Sequence, residues 1–471
     1  MDGLEVTEVP LSMLERTWRI DSMFYSKSNR KILDVLSAHK LLSIDPCLQV
    51  SDGNHMSISD HFTQDGIPYY RGGDIYNFFI EQARTPYCIP EEVYNWSTLK
   101  RSHLKKGDIL VSIVGAIIGN VALVMTDDKA TCSCKLAILR SNGILSEFVA
   151  IYLKTKYGQN QIQKFRRGGG QTGLILDDFS QIFIPDLSKD FQIIIKHQVL
   201  SAYNLASGSV DSYSQAENYL LSELGMGNIA LPTKAVAIKS FVGSFVESGR
   251  LDAEYYQPKY DKLFDVLAKF QTKPLGGKLG IVDIKKSIEP GSSLYQSEGI
   301  PFIRVSDVIK FGISEPEIHL PMDVVPNVLD LYPQKDTILF SKDGSVGIAY
   351  KIEHDSQLIT SGALLHLTVR NKAEVLPSYL TLVLNSIVVQ LQAERDSSGA
   401  IIQHWKPSEV EKVVIPVLDM DIQREISSKV QESFALRQQS EQLLENAKRA
   451  VEIAIEYDEE KAMEWLKDKA E

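Results

Sequence analysis

An internal repeat constrains this chain more than any other feature of its sequence. Residues 19–36 align with residues 250–267, and seven of the eighteen positions are identical. Further matches join, in chain order, residues 66–74 to 299–307, 109–115 to 338–344 and 183–185 to 414–416. Two long copies predict two domains of one fold with pseudo-two-fold symmetry, because a solenoid would repeat roughly every 20–50 residues.

Each copy has the same internal order. Short β-branched runs separated by glycine, proline, asparagine and aspartate come first, and this mixture is typical of an α+β domain rich in strands. A long segment without proline follows and predicts a helix. The expected segments are a first domain over 1–186, a helix over 187–228, a second domain over 229–417, a helix over 418–457 and an acidic tail over 458–471.

The two helical segments carry a seam of mostly apolar and small residues at alternating spacings of four and three. When each seam position of the first helix is shifted along the chain by the period of the repeat, it falls on a seam position of the second helix. Both helices therefore carry the seam in the same register. This period of 3.5 predicts that the helices pack together as a coiled coil, a rod of roughly 50 Å for about 35 residues. Two amphipathic helices, each packed on its own domain, are the alternative. The predicted pairing residues are Ile195, Val199, Ala202, Ala206, Tyr213 and Leu220, and Ile426, Val430, Leu444, Ala447 and Val451.

The charge balance argues against a protein that coats nucleic acid non-specifically. The chain has 50 Lys and Arg against 61 Asp and Glu, a net charge of −11, whereas such proteins are usually basic. Part of the excess acid is local, because residues 456–471 hold seven acidic and three basic residues. The tail lies beyond the seam, and we expect it to fray or to contact a partner.

Membrane and secretory signals are not expected. The N-terminal residues lack a basic region followed by an apolar run. The longest apolar stretch, 109–125, is interrupted by Ser112, Gly115, Gly119 and Asn120, and its valines and isoleucines predict buried strands. The four cysteines show neither a disulfide framework nor zinc spacing, so we expect a reduced, cytoplasmic chain that does not bind a membrane.

Motifs of catalysis are missing from the sequence. Residues 168–173 match G-x-G-x-x-G, but they follow a polar, helix-like stretch, whereas a dinucleotide site follows a strand and opens a helix. The chain contains no P-loop, no H-E-x-x-H and no G-x-S-x-G. The nine histidines do not pair at metal-ligand spacing. We therefore expect no catalytic residues, no metal and no cofactor bound by this chain.

Basic clusters stand out against that background. They lie at 100–106, 154–167, 269–286, 342–343 and 395–406. A charge run is most often a solvated face, but those at 166–167 and 395–406 flank a glycine loop at the same place in both copies. Glycine lets the backbone approach a phosphate, and Arg, Lys and Gln supply contacts to phosphates or base edges.

The order of these motifs resembles the specificity subunit of type I restriction-modification systems. The likeness lies in G-I-P-[YF]-x-R-x-x-D, then D-I-L-V-S or D-T-I-L-F-S with a glycine turn, then a glycine loop and I-P before a long helix, in both halves. It implies two tandem target-recognition domains joined by two long antiparallel coiled-coil helices, which read an asymmetric, bipartite double-stranded DNA target. It also implies a non-catalytic subunit that docks methyltransferase subunits, expected to be two, and through them restriction or translocase subunits. S-adenosylmethionine and ATP would be bound by those partners.

The resemblance places the recognition loops at 70–74, 112–119 and 166–171 in the first copy, and at 303–307, 341–347 and 395–406 in the second. The loop sequences differ between copies, which predicts two different half-sites. The candidate DNA-binding residues are Tyr70, Arg71, Ser112, Lys164, Arg166, Arg167 and Gln171, and Arg304, Ser341, Lys342, Arg395, Gln403, His404 and Lys406.

Three other functions stay open at this stage. An equivalent DNA reader could serve a methylation-only defence system, and the sequence does not separate it from the first. A self-contained methyltransferase would need the motif [NDS]-P-P-[YF], which does not occur. A coiled-coil scaffold without DNA would not depend on Arg166 and Arg167.

Overall fold

The computed structural model describes residues 6–9, 11, 19–22, 24–80, 87–115, 117–168, 172–227, 229–232, 236–246, 248–322, 327–399 and 402–470. The chain divides into two compact units. The first unit comprises residues 1–206 and 438–471, and the second comprises residues 207–437. The units divide after Ala206 and after Arg437, and the number of residues between these two points equals the period of the sequence repeat.

The first unit is a mixture of helices and short strands. Its strands are β1 (Leu41–Ser43), β2 (Leu48–Asp52), β3 (Ile67–Tyr70), β4 (Cys88–Ile89), β5 (Ile109–Ser112), β6 (Val121–Leu123), β7 (Thr131–Cys132), β8 (Leu136–Ser141) and β9 (Phe183–Pro185). Its helices are α1 (Lys27–Leu36), α2 (Ile44–Cys47), α3 (Glu91–Tyr94), α4 (Ser146–Lys154), α5 (Lys156–Lys164), the first half of α6 (Lys189–Glu223), the second half of α11 (Met420–Glu456) and α12 (Glu459–Ala470).

The second unit holds the rest of α6 and α11. Its other helices are α7 (Pro258–Leu267), α8 (Pro377–Asn385), α9 (Ile387–Asp396) and α10 (Pro407–Val410). Its strands are β10 (Thr272–Pro274), β11 (Val282–Lys286), β12 (Ile300–Ile303), β13 (Val308–Ile309), β14 (Gly312–Ile313), β15 (His319–Leu320), β16 (Ile338–Ser341), β17 (Ala349–Lys351), β18 (Ile359–Thr360), β19 (Leu364–Val369) and β20 (Val414–Pro416). The mixed helix-and-sheet class agrees with the α+β expectation.

The sheets of the two units have the same strand order. In the first unit, an antiparallel sheet runs β2-β8-β5-β6, and a smaller sheet runs β4-β3-β7 with β3 parallel to β7. In the second unit, the corresponding orders are β11-β19-β16-β17 and β15-β12-β18, with β12 parallel to β18. A two-stranded ladder, β1-β9 or β10-β20, precedes the long helix in each case.

The apolar stretch at 109–125 forms strands of the larger sheet, as its composition predicted. Every residue of β5 and of β6 is buried. Helix α4 packs on β6, and its residues from Phe148 to Leu153 are buried as well. Strands covered on both faces need apolar side chains at consecutive positions, and this explains the unbroken run of valine, isoleucine and leucine.

One glycine turn recurs in both units because only glycine fits it. Gly66 has φ of +138°, and a Cβ atom there would lie 2.7 Å from the carbonyl oxygen of Ile89. Gly299 has φ of +123°, and its Cβ would lie 2.4 Å from the carbonyl oxygen of Leu320. A positive φ and a close backbone neighbour both exclude a side chain, so this G-I-P motif is a requirement of the turn.

In the first unit, the two long helices pack against each other in antiparallel fashion. Ile195, Val199 and Ala202 of α6 share a buried core with Ala447 and Val451 of α11. The Ser440 hydroxyl of α11 donates a hydrogen bond to the Ala202 carbonyl oxygen, 2.7 Å away. Two more predicted pairing residues, Ala206 and Leu444, are half-buried at the edge of this core.

The second unit contains the corresponding contacts. Tyr213 and Leu220 of α6 share a core with Ile426 and Val430 of α11. Two buried serines meet between the helices, since the Ser433 hydroxyl donates to the Ser209 carbonyl oxygen over 2.7 Å. Small residues at these points let the helix backbones approach closely.

The acidic tail does not fray, and that part of our expectation is wrong. Residues 459–470 form α12, and Ala462 and Leu466 are buried in the core of the first unit. The Ser188 backbone N–H donates to the Glu459 carboxylate over 2.7 Å, and this bond ties the start of α12 to the start of α6. Met463 and Trp465 also pack against this core, so the acidic segment carries one apolar helical face. Among the described residues, no helix combines the length and hydropathy that a membrane span requires.

We expect the second unit to lose stability in mild acid because of His366. This β19 side chain is buried, and its Nε2 atom lies 2.8 Å from the Thr360 hydroxyl. Burial, with a smaller effect of Lys285, lowers the pKa of His366 to about 4. As pH falls from about 6.5 to 4, His366 binds a proton in the unfolded chain but stays neutral in the folded chain. This difference lowers the free energy of unfolding by about 3 kcal/mol in all.

The corresponding residue of the first unit is Ile138 in β8, so His366→Ile is the matched variant. Urea unfolding of both proteins from pH 7 to pH 4 measures the difference. The wild type should lose more stability than the variant over this range, and equal losses would contradict the assignment.

Candidate nucleic-acid interface

Two of the predicted loops of the first unit lie side by side. One follows β5, and the other follows α5. The Gly115 N–H donates to the Thr172 carbonyl oxygen over 3.0 Å, and the Leu174 N–H donates to the Ile113 carbonyl oxygen over 2.9 Å. The second loop closes on itself through reciprocal backbone bonds between Arg167 and Gly173, of 3.1 and 2.9 Å. The predicted residue Gln171 lies outside the described residues.

The second unit builds the same pair of loops. The Gly344 N–H donates to the Gln403 carbonyl oxygen over 2.8 Å, and the Trp405 N–H donates to the Lys342 carbonyl oxygen over 2.7 Å. Reciprocal bonds of 3.0 and 2.7 Å close the later loop between Ser398 and His404. Each donor and each acceptor of these bonds occupies the position of the second sequence copy that is equivalent to its counterpart in the first.

The third predicted loop of each unit approaches the same place. In the first unit, the Ser133 N–H donates to the Tyr70 carbonyl oxygen over 2.9 Å, and the Ile113 N–H donates to the Lys135 carbonyl oxygen over 3.0 Å. The turn between β7 and β8 therefore joins the loop after β3 to the loop after β5. In the second unit, the corresponding bonds run from Ser361 to Ile303 and from Lys342 to Ala363.

A glutamine anchors the loop after β5 in each unit, and the sequence analysis missed it. Gln159 of α5 donates to the Gly119 carbonyl oxygen over 2.8 Å, and Gln390 of α9 donates to the Gly347 carbonyl oxygen over 2.7 Å. The two glutamines occupy equivalent positions of the two copies. The same residue type at equivalent positions of the two sequence copies was the signal that could have revealed these glutamines.

The predicted residues Arg71 and Arg304 are engaged by their own loops. The backbone N–H of Arg71 donates to Asp74 over 2.7 Å, and that of Arg304 donates to Asp307 over 2.8 Å. In both cases, the arginine Nε also donates to the same carboxylate over 3.3 Å. Because the geometry is equal in both units, R-x-x-D is a local cap of the loop.

Three other predicted cations are also held by neighbouring groups. Arg167 forms an ion pair with the buried carboxylate of Asp178. Arg395 donates to Asp396 over 2.7 Å, and its guanidinium lies 4.5 Å from the centre of the Phe264 ring. The Lys164 ammonium lies 4.0 Å from the centre of the Phe24 ring, and its side chain is buried. These contacts give the three side chains structural roles in the loops.

The predicted serines and Tyr70 face inward to different degrees. Ser112 and Ser341 are both buried, and the Ser341 hydroxyl accepts a hydrogen bond from the Ile348 N–H over 2.8 Å. Tyr70 is half-buried, and burial, with a smaller effect of Asp74, raises the pKa of its hydroxyl to about 12. That hydroxyl therefore keeps its proton at neutral pH and is able to donate a hydrogen bond.

Of the remaining predicted side chains, Lys342 is buried and forms an ion pair with Asp343, whereas the other four are exposed at the joined loops. Arg166 points outward and donates over 3.2 Å to both Gln163 and Thr172. In the second unit, Gln403, His404 and Lys406 are exposed. Lys135, on the β7–β8 turn, is a further exposed cation that the sequence analysis did not select. The two loop clusters thus share a backbone and differ in what they expose.

The described residues of the loop clusters offer no ready site for a metal ion. Within the described ranges, no group of three or more His, Cys, Asp or Glu side chains is placed to hold an ion. The four cysteines are free thiols, and burial raises the pKa of Cys132 well above its usual range. The exposed groups can donate and accept hydrogen bonds and carry positive charge, which suits contacts to phosphates and base edges.

The sequence matches no protein-family model and no curated relative. Solved structures do match it. The type I restriction-modification S subunit from M. genitalium is 17% identical over 88% of this chain and 95% of that chain, with a TM-score of 0.37. The HsdS subunit from Thermoanaerobacter tengcongensis is 16% identical over 89% and 97%, with a TM-score of 0.28. A chain from a structure on complex assembly and conformational transition of the type I R-M system is 16% identical over 89% and 100%, with a TM-score of 0.29. These solved neighbours are specificity subunits of type I restriction-modification systems and their assemblies.

Proposed function

We propose that this chain is the DNA-recognition subunit of a type I restriction-modification complex and reads an asymmetric, bipartite target. One observation carries the proposal. Two units present the same three joined loops on equivalent backbone hydrogen bonds, but expose Arg166 and Lys135 in one and Gln403, His404 and Lys406 in the other. A constant frame with variable exposed polar side chains suits two readers of different half-sites.

In this proposal, the chain is an internal duplication. Residues 1–186 and 229–417 are the target-recognition domains, residues 187–228 and 418–457 are the paired spacer helices, and residues 458–471 are the acidic tail. The spacer fixes the distance between half-sites and docks two methyltransferase subunits, which in turn bring restriction subunits. The chain itself is non-catalytic and cytoplasmic, while S-adenosylmethionine and ATP bind to the partners.

The net charge of −11 bears on how tightly the chain alone is expected to bind DNA. Most cations at the loops are paired with carboxylates, and these pairs leave few free positive charges for phosphates. Since non-specific affinity comes chiefly from neutralised phosphates, we expect weak DNA binding by the chain alone. Partner subunits then supply the remaining phosphate contacts.

Selection from random duplex DNA tests the proposal. The full chain, assembled with its methyltransferase subunits, should enrich one motif of two unlike halves at a fixed gap, and methylation should occur at that motif. Enrichment of no motif, together with methylation at no fixed site, would favour a coiled-coil scaffold. A methylation-only system would give the same motif without cleavage of unmethylated DNA.

Arg166 and Arg167 should separate binding from stability. We expect Arg166→Ala to weaken DNA binding and reduce the slope of log K against log salt by about 1, without changing the melting temperature. Arg167→Ala leaves the buried Asp178 carboxylate without its cation and should cost about 1–3 kcal/mol of unfolding free energy. Salt-titrated binding and thermal melts of both variants measure this, and equal effects of the two substitutions would contradict it.

A further inference from the structure

Three ionisable side chains of the second unit occupy places that hold no ionisable side chain in the first. Lys342, Asp343 and His404 lie at the crossing of the loop after β16 and the loop after α9. The backbone bridge between Asp343 and His404 corresponds to the bridge between Val114 and Gly173 of the first unit. Lys342 in turn corresponds to Ile113, because each accepts the backbone bond that joins the two loops.

The three side chains form a connected group. His404 Nδ1 lies 2.8 Å from one carboxylate oxygen of Asp343, and the Lys342 ammonium forms an ion pair with the other oxygen. The Lys342 side chain is only 10% exposed, whereas that of His404 is 61% exposed. A buried lysine thus fixes an aspartate, and the aspartate fixes an exposed imidazole ring.

The fold does not require this group. Isoleucine, valine and glycine make the same backbone bridges in the first unit. Removing a lysine ammonium and a carboxylate from water costs free energy that their pairing repays only in good geometry. A charged group at a place where apolar residues suffice therefore points to a role at the surface, and His404 is its exposed member.

The hydrogen bond to Asp343 decides which His404 nitrogen can recognise a ligand. A carboxylate only accepts hydrogen bonds, so Nδ1 carries the hydrogen and donates it. In the neutral ring, Nε2 is then an acceptor on the exposed side. The orientation of the ring and the position of its hydrogen are both set before any ligand arrives.

We infer that His404 is a specificity-determining residue of the second reader and that Asp343 and Lys342 are positioning residues. Its Nε2 accepts a hydrogen bond from an exocyclic amine, adenine N6 or cytosine N4, at one base position of one half-site. This inference rests on the proposed function. It adds the side chain, the atom and the class of base that the second unit reads.

Motif selection with the assembled complex tests the inference with two variants. His404→Ala should relax the choice of base pair at one position of one half-site, reducing that discrimination about tenfold. The other half-site should remain unchanged. Asp343→Asn should do more, since its amide can donate to Nδ1 and move the ring hydrogen to Nε2. That variant should replace the preferred base pair at this position by one that places a guanine O6 or thymine O4 acceptor where the wild-type target has the amine.

Lys406→Ala is the matched control, because Lys406 is exposed on the same loop and its ammonium lies 3.7 Å from the Glu409 carboxylate. It should weaken binding about equally for all sequences. A wild-type motif that His404→Ala leaves intact, or a loss that is equal across sequences, would overturn the inference alone. A wild-type complex that selects no motif would overturn the proposed function, and this inference with it.

Discussion

Replacing Asp108 with alanine is expected to destabilise the first unit by about 3–5 kcal/mol. Asp108 is only 1% exposed and lies just before β5. Both of its carboxylate oxygens accept from the Arg140 guanidinium, over 2.7 and 2.6 Å, and one also accepts from the Lys105 N–H over 2.8 Å. Removing the carboxylate leaves a partly buried guanidinium with only the His103 carbonyl oxygen as an acceptor, and a buried charge without its counter-charge is costly.

The consequence should reach the candidate interface. β5 leads directly into the loop that bonds to the loop after α5. A loosened β5 should therefore reduce DNA binding as well as stability. Urea unfolding gives the change in free energy, and hydrogen exchange of peptides from β5 and β8 locates it.

Two further variants serve as controls for the Asp108 prediction. Asp127→Ala removes an exposed carboxylate of the same unit and should cost less than about 1 kcal/mol. The double variant Asp108→Leu with Arg140→Met replaces the ion pair by apolar groups and should recover most of the lost stability. If Asp108→Ala lowers the free energy of unfolding no more than Asp127→Ala does, the ion pair between Asp108 and Arg140 does not stabilise the first unit.

The buried strands and the helical seam could be predicted from sequence because both depend on where the apolar residues stand along the chain. An unbroken apolar run is required of strands covered on both faces, and the residues of β5 and β6 are buried as expected. The seam positions recur at helical spacing, and residues such as Val199 and Val451 are buried. Burial patterns of this kind follow from residue type alone.

The roles of single charged residues could not be predicted in the same way. A guanidinium that binds a phosphate and one that caps its own loop have the same sequence neighbours. Arg71 and Asp74 form such a cap, and only their equal spacing in the second copy hinted at it. Helix α12 was missed for a related reason, because its acidic composition concealed the apolar face of Ala462 and Leu466.

Ile195→Ala and Ile193→Ala form a matched pair on α6, and we expect them to differ strongly. Ile195 is fully buried in the core that α6 shares with α11 in the first unit, whereas Ile193 is 39% exposed. Truncating the buried side chain removes its apolar contacts and leaves a cavity, which costs about 2–5 kcal/mol. The same truncation at Ile193 should cost less than about 1 kcal/mol, because that side chain already contacts solvent.

Both substitutions replace the same residue type on one helix, so they change helix propensity about equally. Any difference between them therefore measures the packing of α6 on its unit. Thermal melts and urea unfolding of the two variants provide the comparison. If the helices served only as solvent-exposed rods, the two substitutions would have equal effects. A large gap in stability, accompanied by loss of motif selection in Ile195→Ala alone, would tie the packed spacer to DNA recognition.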